Sequence, residues 1–360
     1  MAKLWPMTLP LTWSQILSKL ALGTDLNRAE ATWALDQIMS GEVADGIVAA
    51  FMVGLRRKGE SVDEISGLVD AMLTNCLKLE TGSDAVDIVG TGGDLIGTVN
   101  ISSMASILTA AAGVPVLKHG SRSASGKTGS SEMLESLGIR LDLDASQVAS
   151  VFKKTGITFF FAPVFHPAMR YVAPIRRLLA IPTTFNFLGP LANPAQPVAT
   201  SLGVANRQIA PLLARELAAR GRTGLVFRGN DGLDELSTTS ANEIWQVSGG
   251  EVREFNLNPV KFGLARATTE QLLGGDAAHN AQVAREIFAG NTAGNLGAVR
   301  DIVILNAAGG VVSYELAHDS SKADVDLDLR FQDAIAKVTS ALDSGAGQTK
   351  LNDWVAATAQ

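Results

Sequence analysis

Apolar positions near the start of the chain recur at helical spacing. Trp13, Ile16, Leu17 and Leu20 form one stripe, Ala31, Leu35, Ile38 and Met39 a second, and Ile47, Phe51 and Leu55 a third. Residues 12 to about 78 therefore read as helices only. Gly41 and Gly59 sit where helix C-termini are expected. Ser61-Val62-Asp63-Glu64 is a capping box, in which the Ser61 hydroxyl accepts from the Glu64 amide while Glu64 reaches back. The pattern changes at Thr81-Gly82-Ser83-Asp84. Strand-like runs over 86–89, 114–117 and 158–161 then alternate with helical ones over 103–112, 131–137 and 146–155. A basic helix and a Pro/Gly-rich stretch over 171–197 interrupt this alternation. It resumes with strands at 199–204 and 224–227, and residues 303–305 are a late buried-strand candidate. Such alternation predicts an α/β fold, a mostly parallel sheet wrapped by helices, with a smaller all-helical domain beside it. The expected domains are a helical one over 1–80, joined by about 171–197, and an α/β one over 81–170 and 198–360.

Composition narrows the class. A chain of 360 residues exceeds one compact core, and 46% hydrophobic with 18% charged residues marks a globular protein. No run of 18 uninterrupted apolar residues occurs, which predicts no membrane span, and two prolines break the apolar stretch at 4–13, which speaks against a signal peptide. A cytosolic location is expected. A formal charge of −6 with no Lys/Arg run disfavours binding to nucleic acid. Cys76 is the single cysteine, so neither an intramolecular disulfide nor a cysteine-cluster metal site can form. It reads as a packing residue on a helix.

Two loops carry phosphate chemistry. Gly90-Thr91-Gly92-Gly93-Asp94 follows a predicted strand, and Asn100-Ile101-Ser102-Ser103 opens a helix. The glycines let successive N–H groups converge on an anion, and the helix N-terminus adds orphan donors and a positive dipole end. The spacing is not the dinucleotide fingerprint, because Leu95 stands where G-x-G-x-x-G requires its third glycine. The second loop runs Lys118-His119-Gly120-Ser121-Arg122-Ser123-Ala124-Ser125-Gly126-Lys127-Thr128-Gly129-Ser130. Five residues rather than four separate Gly120 from Gly126, so this is not a P-loop. Each loop alone also reads as a polar turn; two loops following strands of one sheet point to a ligand site. Asp234-Glu235, on a glycine-containing loop after a strand, can bind Mg²⁺ or simply be solvated. Asp63-Glu64 shows the same dipeptide serving a helix cap. Arg176 and Arg177 offer the fork that grips a carboxylate, or belong to a surface helix. His119 and His166 lack H-x-x-x-H spacing and are not read as metal ligands.

Together these motifs resemble one family. Gly90–Asp94, Asn100–Ser103, Lys118-His119-Gly120 followed by Arg122, residues 161–170, residues 185–194 and Asp231-Gly232-Leu233-Asp234-Glu235 are similar to the signatures of the anthranilate phosphoribosyltransferases of tryptophan biosynthesis. The resemblance runs in order from about residue 12 to the end. It implies a homodimer associating through the helical domain, with phosphoribosyl pyrophosphate and anthranilate as substrates. The donor would bind Gly90, Gly93, Asp94, Thr98, Asn100, Ile101, Ser102, Ser103, Lys118, His119, Gly120, Ser121, Arg122, Ser123, Ala124, Ser125, Gly126 and Ser130. Mg²⁺ would be held through Ser102, Asp234 and Glu235, and anthranilate by Gly90, Ser121 and Arg176. Catalysis would rest on positioning and charge stabilisation, without a dedicated general base. Two positions depart from the pattern, which has asparagine at Ser121 and a second serine at Gly126. The nearest rival is a pyrimidine nucleoside phosphorylase of the same superfamily, echoed by Lys118, Ser121, Arg122, Thr128 and Gly129; a non-catalytic paralogue that binds nucleic acid is a third possibility.

Overall fold

The computed structural model describes residues 10–79, 81–122 and 128–359. Ser123, Ala124, Ser125 and Gly126, assigned above to the donor, lie outside the described residues, as does Lys127. In chain order the elements begin with helices α1 (Trp13–Ala21), α2 (Arg28–Ser40), α3 (Asp45–Lys58) and α4 (Val62–Thr74). Strands β1 (Val86–Gly90), β2 (Val116–Gly120) and β3 (Ile157–Phe161) follow, with α5 (Ile101–Ala111) after β1 and α6 (Ser130–Ser136) and α7 (Ala145–Thr155) after β2. Next come α8 (Ala162–Phe165), α9 (Ala173–Leu179), α10 (Phe185–Leu188), β4 (Ala199–Gly203), α11 (Ala210–Ala219) and β5 (Thr223–Gly229). The chain continues through β6 (Asn242–Ser248), β7 (Glu251–Leu257), α12 (Thr269–Leu272), α13 (Ala277–Phe288), α14 (Leu296–His318), α15 (Leu327–Asp343) and α16 (Ala346–Thr358).

One compact unit takes residues 1–75 and 168–188. Its helices start where the sequence puts caps: Thr12 with Gln15, Asn27 with Glu30 and Ser61 with Glu64 each form a capping box. Gly41 ends α2 in the left-handed region. Glu64 does more than cap. Fully buried, it also accepts from the Leu26 amide (2.9 Å) and pairs with Lys58 (2.8 Å). Where α4 meets α2, Gly67 allows backbone contact, since a Cβ there would lie 2.3 Å from the Arg28 carbonyl oxygen. Cys76 is not on a helix. The Asn75 amide group bonds back to the Ala71 carbonyl (2.9 Å) and across to Asp36 (2.7 Å), which stops α4 one turn before the predicted end.

The second unit comprises 76–167 and 189–360. Residues 189–197 thus belong with the sheet rather than with the helices, because Asn193 is buried between Asp87 (2.8 Å) and the Leu117 carbonyl (2.7 Å). The seven strands run in the order β3-β2-β1-β4-β5-β6-β7. The first five are parallel and almost wholly buried, as apolar runs without alternation require. β6 and β7 extend the sheet as an antiparallel hairpin turned by Gly249-Gly250, both at positive φ. Residues 303–305 are not a strand; they lie inside α14, which is apolar on nearly every side. A short apolar run cannot distinguish a buried strand from a buried helix. By length and composition α14 could cross a bilayer. Here it is the core helix, packed against α5, α15, β4 and β5, and Gly309 and Gly310 let it sit within reach of Leu236 and Ile88.

Candidate active site

The sheet order places a switch point between β1 and β4, because the connections from β1 lead away to β2 and β3 while the chain later returns to the other side of β1. Crevices at such points, beyond the strand C-termini, take ligands. The two ends are Gly90 and Gly203, which are register partners. Neither could be larger. A Cβ on Gly203 would lie 1.8 Å from the Asp234 carbonyl oxygen, and one on Gly90 would lie 2.3 Å from Asp234 Oδ2. The Asp234-Glu235 loop therefore rests directly on the strand ends.

Two asparagines hold that loop. Asn306 of α14 accepts from the Leu236 amide and donates to the Leu236 carbonyl, both at 2.8 Å. Asn242 does the same for Ser237, at 2.6 and 3.0 Å. Within the loop, Asp231 accepts from the Ser237 hydroxyl (2.6 Å) and the Leu233 amide (3.2 Å). Gly203, Asn242 and Asn306 were not singled out from sequence. The one available signal was Asn306, a lone amide in the apolar run of residues 302–308, since a buried polar group needs partners.

So supported, the two carboxylates meet both ends of the glycine loop. Asp234 Oδ2 accepts from the Gly92 amide (2.7 Å), and Glu235 Oε1 from the Ser102 amide (3.1 Å). Lys118 reaches up from β2, fully buried, donating to the Ile88 carbonyl (2.6 Å) and the Ser102 hydroxyl (3.4 Å). Burial, then the charge of Asp94, pushes the Asp234 carboxyl up to about 7. Burial and the charge of Asp234 push Glu235 well above the usual carboxylate range, against the pull of Lys118. Burial likewise raises Asp94 and lowers Lys118. Three carboxyls are thus crowded together with too little positive charge to keep them all ionised. Among the described residues no three His, Cys, Asp or Glu side chains form a metal-holding cluster. Two carboxylates beside a serine hydroxyl nonetheless suit a hard divalent ion, for which substrate phosphate and water supply the remaining oxygens.

The anion cradle lies opposite. Gly92, Gly93, Leu95 and Gly97 all have positive φ, the backbone region from which a loop can gather amides around an anion. Asn100 caps α5 without a side-chain bond to the helix; the Ile101 amide turns to the Val99 carbonyl (2.8 Å) and the Ser102 amide to Glu235, and the positive end of the helix dipole faces the loop. Ile101 and Ser103 are buried at that terminus, the Ser103 hydroxyl without a partner, and Thr98 is bridged to Leu273. Gly120 must be glycine, because a Cβ would meet the Ser130 hydroxyl at 2.5 Å. Ser121 is exposed, its carbonyl 3.3 Å from that hydroxyl. Arg122 forms a two-pronged pair with Glu135 (3.0 and 3.1 Å) over the Phe161 ring. The rings of His119 and His166 lie 5.1 Å apart, tilted to one another, and bond the Gly189 and Ala192 carbonyls. Burial brings His119 down to about 3 and His166 to about 4, so both imidazoles are uncharged at neutral pH. Arg176 lies on α9, in the helical unit.

A model of the glycosyl transferase family a/b domain matches residues 82–348, and one of the family's helical bundle domain matches 14–76. An anthranilate phosphoribosyltransferase of Leifsonia xyli subsp. xyli is 52% identical over 96% of this chain and 98% of its own. This chain belongs to the anthranilate phosphoribosyltransferase family. A crystal structure of the Thermus thermophilus anthranilate phosphoribosyltransferase superposes with a TM-score of 0.85 at 36% identity, covering 96% of this chain and 99% of that one. The Saccharomyces cerevisiae anthranilate phosphoribosyltransferase, in complex with phosphoribosyl pyrophosphate and Mg, superposes with a TM-score of 0.83 at 25% identity, covering 96% and 98%. Within the anthranilate phosphoribosyltransferases, then, likeness extends over both units, and the sites described above are those of this chain.

Proposed function

We infer that this protein transfers the phosphoribosyl group of 5-phosphoribosyl-1-pyrophosphate to anthranilate and releases pyrophosphate, a step of tryptophan biosynthesis. The observation that carries the reading is the meeting of an anion cradle with a buried carboxylate pair at the β1–β4 switch point, through Gly92 and Ser102. In the reaction the bond from the anomeric carbon to a pyrophosphate oxygen breaks, a carbon–nitrogen bond forms, and the amine loses a proton. The ribose passes through an oxocarbenium-like state, as in glycoside cleavage. The Gly93 amide and the N-terminus of α5, with Thr98, Asn100 and Ser103, orient the donor and take up charge on the leaving pyrophosphate. Ser130 and the loop from Lys118 to Gly126 complete the donor site. The acceptor amine is itself the nucleophile, so no general base is needed.

Ser102, Asp234 and Glu235 would hold Mg²⁺, which when bound supplies positive charge to the pyrophosphate oxygens. Support comes from the raised carboxyls and from the Mg complex of the yeast relative. Gly90, Ser121 and Arg176 are proposed for anthranilate. We also propose a cytoplasmic homodimer formed through the helical unit. Leu22 (82% exposed), Leu178 (79%) and Ile181 (49%) are apolar side chains that this unit leaves exposed.

The test is turnover of anthranilate, followed by loss of its fluorescence, with the phosphoribosyl donor at varied Mg²⁺. Asp234→Asn combined with Glu235→Gln should keep the fold and lose at least about 10²-fold in rate, the scale for removing one strong transition-state stabiliser. Neutralising a crowded buried pair should leave the melting temperature of the metal-free protein unchanged or higher. A double variant retaining more than half of wild-type turnover at saturating Mg²⁺ removes the metal assignment. Absence of turnover by the unaltered protein removes the reading itself.

A further inference from the structure

Asn280, in the first turn of α13, is 1% exposed and plays no part in the reaction as described so far. Its side chain belongs to a closed ring of four hydrogen bonds. The Gly275 amide donates to Asn280 Oδ1 (2.9 Å), Asn280 Nδ2 donates to Asn100 Oδ1 (2.8 Å), Asn100 Nδ2 donates to the Thr128 carbonyl (3.2 Å), and the Thr128 hydroxyl donates to the Gly275 carbonyl (2.9 Å). The ring ties together the first turn of α13, the cap of α5, the end of the second loop and the segment at 274–275. That last segment is itself clamped to the cradle, the Gly274 amide donating to the Gly97 carbonyl at 2.9 Å, and a Cβ on Gly274 would lie 2.7 Å from the Thr98 carbonyl oxygen.

The direction of the ring admits one arrangement. A backbone N–H can only donate, so the Asn280 atom facing Gly275 is oxygen and the one facing Asn100 is nitrogen. The facing atom of Asn100 is then oxygen, and its NH₂ group points toward Thr128, whose carbonyl can only accept. One hydrogen of that NH₂ group goes to Thr128. The other remains for an anionic ligand at the α5 N-terminus. Turned over, the same amide would present oxygen to that anion.

We propose that Asn280 is a positioning residue for the donor: it holds the Asn100 amide with its N–H edge toward the pyrophosphate site. This rests on the donor reading of Asn100 given above. Asn280→Asp keeps the Gly275 contact and the shape but sets an acceptor oxygen against Asn100 Oδ1, which turns the Asn100 amide over. Asn280→Ala removes the hold altogether.

Initial rates at varied phosphoribosyl pyrophosphate and varied anthranilate test this in the wild type, Asn100→Ala, Asn280→Ala, Asn280→Asp and the Asn100→Ala/Asn280→Ala pair, with melting temperatures alongside. Asn280→Ala and Asn280→Asp should each raise the donor KM roughly tenfold or more, the scale of one hydrogen bond to a charged group, and leave the anthranilate KM within about twofold. In the Asn100→Ala background, Asn280→Ala should add little, because its effect acts through Asn100. If Asn100→Ala raises the donor KM but Asn280→Asp, folded to the wild-type melting temperature, does not, the positioning role is wrong. Effects that multiply in the pair, or that strike both substrates equally with a fall in melting temperature, overturn it too. If Asn100→Ala leaves the donor KM unchanged, the donor reading of Asn100 fails, and the role of Asn280 with it.

Discussion

Replacing Gly203 with alanine would put a methyl group 1.8 Å from the Asp234 carbonyl oxygen, a contact with backbone that no side-chain rotation can relieve. The Asp234-Glu235 loop would have to lift from the strand ends, moving both carboxylates away from Gly92 and Ser102. Gly203→Ala should therefore lower turnover by about tenfold or more and raise the Mg²⁺ concentration needed for half-maximal rate, with a stability loss of roughly 1–3 kcal/mol. A titration of rate against Mg²⁺ decides whether the loop has moved or the fold has merely loosened. Ser121 is the opposite kind of position, with an exposed side chain. An asparagine amide reaches further than a serine hydroxyl and both donates and accepts, so Ser121→Asn should lower the KM for anthranilate and leave the donor KM nearly unchanged. Loss of all activity would instead mean that Ser121 is fitted to a different acceptor. At this scale the glycine loops, the lysine and the carboxylate pair were legible from residue type and spacing. Gly203, Asn242, Asn280 and Asn306 were not. Their roles depend on what stands opposite them, and those partners can lie many positions away, as Asn100 does from Asn280.

Among the elements, α2 and α4 show how a glycine can act against helix propensity. Alanine is better than glycine inside a helix by up to about 1 kcal/mol, yet at Gly67 a Cβ would meet the Arg28 carbonyl oxygen at 2.3 Å. Gly67→Ala should thus lower the melting temperature by several degrees. Gly46, at the exposed start of α3 with nothing within 4 Å of its would-be Cβ, should gain stability from the same change. Paired melting curves of the two variants separate packing from propensity, and a stabilised Gly67→Ala would show that α2 and α4 can part without cost. Capping boxes and apolar stripes made the helices of this unit readable, and the buried parallel strands stood out as short apolar runs. Helices α11, α13, α15 and α16 were not read from the sequence, and the β6–β7 hairpin and α14 escaped for physical reasons. The β6–β7 hairpin has polar residues along its outer strand, with only Gly249-Gly250 to mark it, and α14 lacks the polar face by which a helix is recognised.

Across the whole molecule, the buried histidines set a direction for its response to acid. His166 titrates near 4 in the fold and near 6.5 when unfolded, so the unfolded chain binds the extra proton between those values. The stability contributed by His166 is fully present above about pH 6.5 and is lost as the pH falls toward 4. His166→Gln keeps a donor for the Ala192 carbonyl without titrating. The wild type's advantage in melting temperature over this variant should shrink steadily from pH 7 to pH 4.5, and a constant difference would show that His166 titrates in the fold as it does in the unfolded chain. The order of elements along the chain has a further consequence, for synthesis. The helical unit needs residues 168–188 to be complete, and the central strands β1 and β4 are covered by α14, which ends at His318. At ribosomal speeds of roughly 5–20 residues per second, β1 waits on the order of ten seconds or more for the helix that buries it. During that interval the nascent chain carries an uncovered apolar sheet. Fragments that stop short of α14 should collect in inclusion bodies or on chaperones, while the finished chain folds once the last core helix is released.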